Sequence, residues 1–310
     1  MRIVFMGTPE AAVPTLQRCL QDGHEVVAVW TQPDKPSGRG KKISFSPVKE
    51  FALANQLTVH QPARIKNEEA LKLFASHDAE LAVVVAYGRI LPGAFLRTPK
   101  RGCINVHFSL LPLYRGAAPV NWAIVNGETQ TGVTTMFIEE TLDSGPILLQ
   151  QETEIGVQET APDLMRRLSL MGAELLSETL SRLDQITPRP QHDRDATFAP
   201  MLTKEDGQID WTRSSKDIGL AVRGFQPWPN AYTNIKSRGL TIWEAEPLSD
   251  GNANATPGEV IAARGDELIV QCGGSALRLV EVQPEAKRRM PVRDFLNGLH
   301  LKVGDRFGES

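Results

Sequence analysis

The sequence has little of what a disulfide-stapled or metal-dependent protein needs. Its 310 residues include only three cysteines, Cys19, Cys103 and Cys272, which lie far apart and form no CxxC pair. The six histidines show neither HxxxH nor HExxH spacing. We therefore expect no disulfide scaffold, no zinc knuckle and no metal site, and this use of cysteine favours the reducing cytoplasm.

Long apolar runs and nucleotide-binding loops are also lacking. No apolar stretch reaches the roughly 18 residues of a membrane span, and the chain opens with Arg2-Ile3-Val4-Phe5, which predicts a strand rather than a signal peptide. The turn after this strand contains Gly7 without a GxGxxG or Walker A pattern, so a dinucleotide or nucleoside triphosphate site is not expected. A formal net charge of -3 excludes a protein that is basic throughout, but it leaves room for local basic patches.

The apolar segments that are present predict an α/β domain followed by a β domain. Apolar strands at 2–6, 25–30, 81–86 and 103–106 alternate with helical patterns, which indicates a Rossmann-like, mostly parallel sheet with helices on both faces. After about residue 206 the pattern changes to five short strands with glycine turns, which predicts a small OB-like β-barrel. The predicted organisation is a catalytic domain over 1–186, a polar, proline-bearing linker over 187–206 and the barrel over 207–310.

A candidate active site lies around Asn105 and His107. These residues are two apart near the end of the predicted strand 103–106, so their side chains point to the same side. An amide donor beside an imidazole can stabilise a developing oxyanion and move a proton. Asp143, in a turn between two apolar runs, is the best candidate for a third polar group. Each residue alone has a plainer interpretation, namely a structural histidine, a strand-end asparagine and a turn aspartate.

Two basic segments are candidates for contacts with nucleic-acid phosphates. The first is a long loop, predicted over 34–50, and the second lies in the predicted barrel. Either could be an ordinary solvated surface or a phosphate-binding patch. The absence of predicted regular structure in so long a loop favours a function for the first. The basic residues of interest are Lys35, Arg39, Lys41 and Lys42 in the loop, and Lys287, Arg288 and Arg289 in the barrel.

Several motifs together resemble the folate-dependent formyltransferases, and within them the tRNA-directed members. The segment from Asn105 to Pro112 and the run Leu142-Asp143-Ser144-Gly145-Pro146 carry the superfamily likeness. The motifs that extend it along the chain are Gly7-Thr8-Pro9-Glu10, Ser37-Gly38-Arg39-Gly40-Lys41-Lys42, Arg115-Gly116-Ala117-Ala118-Pro119 and Leu202-Thr203-Lys204-Glu205-Asp206-Gly207. Two positions depart from the pattern, since Ala11 replaces the usual aromatic residue and Leu113 an often basic one.

The resemblance implies transfer of a formyl group from 10-formyltetrahydrofolate to the α-amine of methionyl initiator tRNA, without a metal. Asn105 and protonated His107 would stabilise the oxyanion, and Asp143 would orient and charge-balance His107. The folate pocket would be lined by Ser109, Leu110, Leu111 and Pro112 and by Ala86, Tyr87, Gly88, Ile90 and Leu91. The expected partners are the tRNA and the folate, with no membrane, and we expect a cytoplasmic monomer. The alternatives are a formyltransferase for a small amine, such as glycinamide ribonucleotide or an amino sugar, and a non-catalytic tRNA-binding protein.

Overall fold

The computed structural model describes residues 1–37 and 42–308. Contacts between residues divide the chain into two compact units. The first unit comprises Met1–Pro119, Gln130–Glu154 and Met165–Ala199, and the second comprises Val120–Thr129, Ile155–Leu164 and Pro200–Ser310. In the described part of the chain, none of the helices combines the length and apolar character that a bilayer span needs.

The first unit is built on a seven-stranded sheet in the order β10-β9-β7-β6-β1-β2-β5. The five strands from β7 to β5 are parallel, β9 pairs antiparallel with β7, and β10 pairs antiparallel with β9. The predicted mostly parallel sheet is therefore confirmed. The strands of this unit are β1 (Arg2–Gly7), β2 (Glu25–Trp30), β3 (Lys35–Ser37), β4 (Lys42–Ser44), β5 (Val59–His60), β6 (Leu81–Val85), β7 (Cys103–His107), β8 (Arg115–Gly116), β9 (Gln130–Phe137), β10 (Ile147–Glu154) and β11 (Phe198–Ala199).

Apolar patterning and capping explain where these elements form. Strand β6 is an uninterrupted Leu-Ala-Val-Val-Val run that is buried along its length, as expected for a central parallel strand. Helix α2 begins earlier than the predicted Phe51, because Ser46 accepts a hydrogen bond from the Lys49 N–H and Pro47 occupies the first turn. The helices are α1 (Val13–Gln21), α2 (Pro47–Ala54), α3 (Glu68–Ser76), α4 (Gly93–Leu96), α5 (Pro119–Val125), α6 (Ala161–Ser181), α7 (Ser215–Gly224) and α8 (Val292–Gly298).

The sequence predicts a loop throughout 34–50, and this prediction is wrong. Strands β3 and β4 pair antiparallel, with Lys35 opposite Ser44 and Ser37 opposite Lys42. The pairing is made by backbone hydrogen bonds, which a basic composition does not prevent, so charge counting does not reveal it. Arg39 and Lys41 lie outside the described residues.

The segment 187–206, which the sequence predicts as a linker, contributes to the first unit up to Ala199. Strand β11 pairs in parallel with β8, and the Arg115 N–H donates to the Thr197 carbonyl at 2.9 Å. The domain limits at residues 186 and 206 stay a prediction. The two compact units do not follow these limits, because the second unit also includes Val120–Thr129 and Ile155–Leu164.

The second unit contains an antiparallel sheet in the order β12-β13-β16-β15-β14, with β17 paired to β16. The segment before the C-terminus joins both edges of this sheet, because Phe307 pairs with Ile235 and Arg306 pairs with Glu259. This bridging reduces the exposed strand edges. The predicted C-terminal β domain is confirmed, and its strands form an antiparallel sheet with β17 added to the five predicted strands. Its strands are β12 (Ala231–Ile235), β13 (Arg238–Leu248), β14 (Val260–Arg264), β15 (Glu267–Gln271), β16 (Ala276–Pro284) and β17 (Met290–Pro291).

Candidate active site

The site lies where β6 and β7 end at the same edge of the parallel sheet. Asn105 is in register with Val84 of β6 on one side and with Met136 of β9 on the other. His107 is the last residue of β7 and lies opposite Thr134. Ligands of open α/β sheets bind at the carboxyl ends of the strands, and the segments after β6 and β7 both start there.

The His107 ring is almost fully buried, and its two nitrogens have different surroundings. Nε2 lies 3.0 Å from the Tyr114 carbonyl oxygen, which can only accept, so Nε2 carries a proton. Nδ1 faces the Asp143 carboxylate, with 3.8 Å between Nδ1 and Oδ2. This separation suits charge balance with a protonated ring but exceeds a direct hydrogen bond. The Tyr114 carbonyl therefore fixes the ring, and Nδ1 is the nitrogen left for chemistry.

Asp143 is held in the loop between β9 and β10 by its own hydrogen bonds. Its Oδ2 accepts from the Gly116 N–H at 2.9 Å, and its backbone carbonyl accepts from Gln191 Nε2 at 2.9 Å. The Asp143 side chain is only 12% exposed, so its charge faces His107 across little solvent. The structure thus brings Asp143 to His107, although the catalytic roles of both stay a prediction.

Two residues beside His107 have left-handed backbones, a conformation that favours glycine. Asp143 has φ of 51° and Tyr114 has φ of 60°. Such conformations cost on the order of 1–3 kcal/mol each and persist only when surrounding contacts impose them. Here Tyr114, in its left-handed conformation, directs its carbonyl at His107. The Thr197 hydroxyl holds Tyr114 in place by accepting a hydrogen bond from its N–H at 2.8 Å.

Asn105 has spare hydrogen-bonding capacity. It is partly exposed, and within residues 1–37 and 42–308 its side-chain amide bonds to no other residue. An amide N–H two residues before His107 on the same strand can donate to an oxyanion that develops near the ring.

Sequence reasoning missed the group of residues behind Asp143. Gln191 Nε2 donates to the Gly145 carbonyl at 2.7 Å as well as to Asp143. Its Oε1 accepts from Arg115 Nε at 3.0 Å and from Arg115 Nη2 at 2.9 Å, and Arg115 is only 4% exposed. Arg115 stands in a quoted motif, but no local signal identifies Gln191 because it lies in the segment predicted as a linker.

The segment Ser109 to Pro112 is fixed by hydrogen bonds to the residue that follows it and to strand β9. The Ser109 hydroxyl donates to the Leu113 carbonyl at 2.6 Å, and the Leu111 N–H donates to Thr134 Oγ1 at 3.1 Å. The side chains of Ser109 and Leu111 are buried, whereas Leu110 and Pro112 are partly exposed. Leu110 and Pro112 are therefore better placed to touch a ligand.

The segment after β6 presents its backbone rather than its aromatic ring. Tyr87 is 2% exposed and packs in the core, and burial raises the pKa of its phenol to about 12. Gln32 Nε2 donates to the carbonyls of Tyr87 at 3.2 Å and of Gly88 at 3.0 Å. Ala86, Gly88 and Ile90 are exposed, while Leu91 is buried. The predicted folate contact of Tyr87 can therefore involve only its main chain.

The first basic segment includes the β3–β4 hairpin, in which Lys35 and Lys42 stand at paired positions opposite Ser44 and Ser37. Lys49, at the base of the hairpin, is committed to Asp34 at 2.5 Å and lies over the Phe45 ring. Hydrogen bonds from Lys49 and Gln61 hold the pKa of the Asp34 carboxyl below its ordinary value.

In the second unit, Arg289 is paired with Glu281 and stacks 5.1 Å above the Trp243 ring. Lys287 and Arg288 are exposed, and neither forms an ion pair with another described residue. Of the predicted barrel contacts, Lys287 and Arg288 are therefore the available cations, and Arg289 is committed within the chain.

Comparisons with known proteins cover both units. A profile described as formyl transferase matches residues 1–180, and one described as formyl transferase, C-terminal domain, matches residues 201–300. The chain is 49% identical to the methionyl-tRNA formyltransferase of Caldanaerobacter subterraneus subsp. tengcongensis over 307 residues, which span 98% of this chain and 99% of the relative. It is 48% identical to the methionyl-tRNA formyltransferase of Solibacter usitatus, covering 100% of this chain and 99% of the relative.

Solved structures share the fold at lower identity. HypX from Aquifex aeolicus in complex with tetrahydrofolic acid superposes with a TM-score of 0.65 at 17% identity, over 98% of this chain and 48% of that chain. The sugar 3N-formyl transferase WlaRD superposes with a TM-score of 0.66 at 20% identity, over 93% of this chain and 99% of that chain. At these identities the likeness concerns the fold alone.

Proposed function

The chain belongs to the formyl transferase family, and on that premise we infer that it formylates the α-amino group of methionyl initiator tRNA with a folate-derived formyl donor. The observation that carries this function is the approach of the Asp143 carboxylate to the His107 ring, two residues after an Asn105 whose amide is uncommitted within the described residues. A non-catalytic tRNA-binding protein would have no use for this set.

The donor we propose is 10-formyltetrahydrofolate, which supplies the formyl group in exchange for one proton of the amine. The Asn105 amide would donate to the formyl oxygen as negative charge develops there. His107, protonated on both nitrogens, would add a positive charge beside the same oxygen and could release the Nδ1 proton. Asp143, with its Oδ2 at 3.8 Å from Nδ1, would balance the charge of the ring.

The folate would bind along the exposed backbone of the segment after β6, beside Leu110 and Pro112. The groups proposed to line its pocket are Ser109, Leu110, Leu111 and Pro112, with Ala86, Tyr87, Gly88, Ile90 and Leu91. The Gly88 carbonyl accepts one hydrogen bond, from Gln32, and can accept a second, whereas the Tyr87 carbonyl already accepts from both Thr8 and Gln32. A pterin ring, which carries donors and acceptors along its edge, suits such a backbone lining.

The tRNA would be held by local positive charge, because the protein is slightly acidic as a whole. We assign phosphate contacts to Lys35, Arg39, Lys41 and Lys42 in the first unit and to Lys287 and Arg288 in the second. Arg289 is removed from this set as a direct contact because Glu281 already neutralises it. We further propose a cytoplasmic monomer, and the free, buried state of Cys19, Cys103 and Cys272 agrees with a reducing compartment.

A labelled-formyl transfer assay tests the function. The chain should transfer label to methionine-charged initiator tRNA and should transfer little to glycinamide ribonucleotide or to an amino-sugar nucleotide. The matched control is the same assay with uncharged tRNA, which lacks the amine. Equal or faster transfer to a small amine would overturn the assignment to tRNA.

A further inference from the structure

We propose that Gln191 is a positioning residue for formyl transfer, acting with Arg115 to hold the Asp143 carboxylate opposite Nδ1 of His107. The inference rests on the proposed function, because it gives Asp143 a role in that reaction. It assigns a task to a segment that resembles a linker in sequence.

All the hydrogen-bonding capacity of the Gln191 amide is used. Its two N–H groups meet two carbonyls of the loop that carries Asp143, at 2.9 Å for Asp143 and 2.7 Å for Gly145. Its oxygen accepts from Arg115 Nε at 3.0 Å and from Nη2 at 2.9 Å. Carbonyls only accept and a guanidinium only donates, so the amide orientation is fixed by its partners. Neither a carboxylate nor a thioether at this position could make the same four bonds.

Arg115 connects this amide to the groups around His107. The residue before it, Tyr114, accepts from His107 Nε2 through its carbonyl, and the residue after it, Gly116, donates to Asp143 Oδ2. Three consecutive residues thus touch the histidine, the glutamine and the aspartate. Gln191 therefore adds a second connection between two loops that the Gly116 N–H bond already joins.

Gln191 braces a residue whose backbone is left-handed. Asp143 has φ of 51°, a conformation that is costly for a non-glycine residue, and Gln191 donates to the carbonyl of this same residue. Without Gln191 the loop would relax and the carboxylate would move away from Nδ1. Because misplacement of a catalytic group by about 1 Å can cost up to about 100-fold in rate, the effect should appear in the rate of transfer.

The primary variant is Gln191→Met, which keeps the length of the side chain and removes all four hydrogen bonds. We expect kcat to fall about 10- to 100-fold, while KM for the folate and for charged tRNA changes less than about twofold. Arg115→Lys is the second variant, since it keeps the charge but loses the fork that meets Gln191. It should show the same pattern, and a wild-type kcat in both folded variants would overturn the proposal.

Gln226→Met is the matched control. Gln226 is a buried glutamine whose amide, like that of the partly exposed Gln191, donates to two backbone carbonyls, those of Val222 and Trp243, each at 2.9 Å, but it belongs to the second unit. It should lower the melting temperature at least as much as Gln191→Met while leaving kcat unchanged. An equal loss of kcat in both variants would show a general effect of lost stability and would overturn the proposal.

A double-mutant cycle separates this proposal from the proposed function. If Gln191 acts through Asp143, then Gln191→Met should cost less than about twofold in an Asp143→Ala background. Losses that multiply would overturn the positioning role while leaving the function intact. A near-normal rate for Asp143→Ala itself would instead contradict the catalytic assignment from which the proposal starts.

Discussion

The edge of the parallel sheet in the first unit differs from the β domain of the second unit in how polar groups are partnered. At the sheet edge, the Asn105 amide bonds to none of the described residues, and His107 and Asp143 approach to 3.8 Å without a direct hydrogen bond. In the β domain, by contrast, charged side chains on the strands form ion pairs, as Arg278 does with Glu246. Buried polar groups that have no hydrogen-bond partner within the protein can act on a substrate, whereas surface charges that are already paired cannot.

Backbone strain shows the same contrast. In the β domain, Lys236 and Ser237 have left-handed conformations that simply reverse the chain between β12 and β13. At the sheet edge, Tyr114 and Asp143 are left-handed where they orient groups that face His107. Chemistry should therefore depend on the first unit, and substitutions on the surface of the second should affect binding alone.

The largest effect that would sharpen this comparison is expected from His107. His107→Ala removes the ring that faces Asp143, and kcat should fall by about 10²–10⁴. His300→Ala, at an exposed histidine of the second unit, is the control and should leave kcat unchanged. Single-turnover transfer shows the chemical step directly, and a near-normal rate for His107→Ala would contradict the assignment.

The next effect in size is expected from Asn105. Asn105→Ala removes one proposed oxyanion donor, so kcat should fall by about 10²–10³. Folate affinity, measured by fluorescence or calorimetry, should change far less because the ground state does not carry the developing charge. An equal loss in affinity and in turnover would identify Asn105 as a folate-binding residue instead.

The sequence predicts the strands of this site better than its surroundings. An uninterrupted apolar run identifies β6, the short Cys103–Val106 pattern identifies β7, and the carboxyl end of β7 places Asn105 and His107 toward the ligand-binding edge. The contacts of Gln191 could not be predicted, because they join residues distant along the chain and the local composition is that of a polar loop. The β3–β4 hairpin was hidden for a related reason, since its basic residues indicated a solvated loop.

The positions of basic residues in the sequence also do not show which of these side chains already have an ion-pair partner. Lys49 and Arg289 belong to the same basic runs as their neighbours, yet Asp34 and Glu281 neutralise them. Their partners lie 15 and 8 residues away, respectively, so only the folded chain reveals the pairing.

A smaller effect should separate folate binding from chemistry within the first unit. Gln32 is the counterpart of Gln191, since its amide donates to the Tyr87 and Gly88 carbonyls and accepts from Arg89 Nε at 3.2 Å. Each lost hydrogen bond costs about 0.5–1.5 kcal/mol, and about 1.4 kcal/mol corresponds to tenfold in affinity. Gln32→Met should therefore raise KM for the folate about tenfold and change kcat less than about twofold. A large fall in kcat with KM unchanged would show that the segment after β6 acts in the chemical step. Folate binding and catalysis would then not be separate within the first unit.

The smallest effect is expected at the surface of the second unit. A cation that meets a tRNA phosphate releases counterions, so its loss should flatten the dependence of log affinity on log salt by roughly 0.7–0.9. Arg288→Ala should show this change, because Arg288 is exposed and has no ion-pair partner among the described residues. The neutral control is Arg289→Ala combined with Glu281→Ala, which removes an existing ion pair and should leave the salt dependence unchanged. If the control variant flattened the salt dependence as much as Arg288→Ala does, Arg289 would have to leave Glu281 and bind a tRNA phosphate. An ion pair in the free protein would then no longer show that a cation does not contact the tRNA.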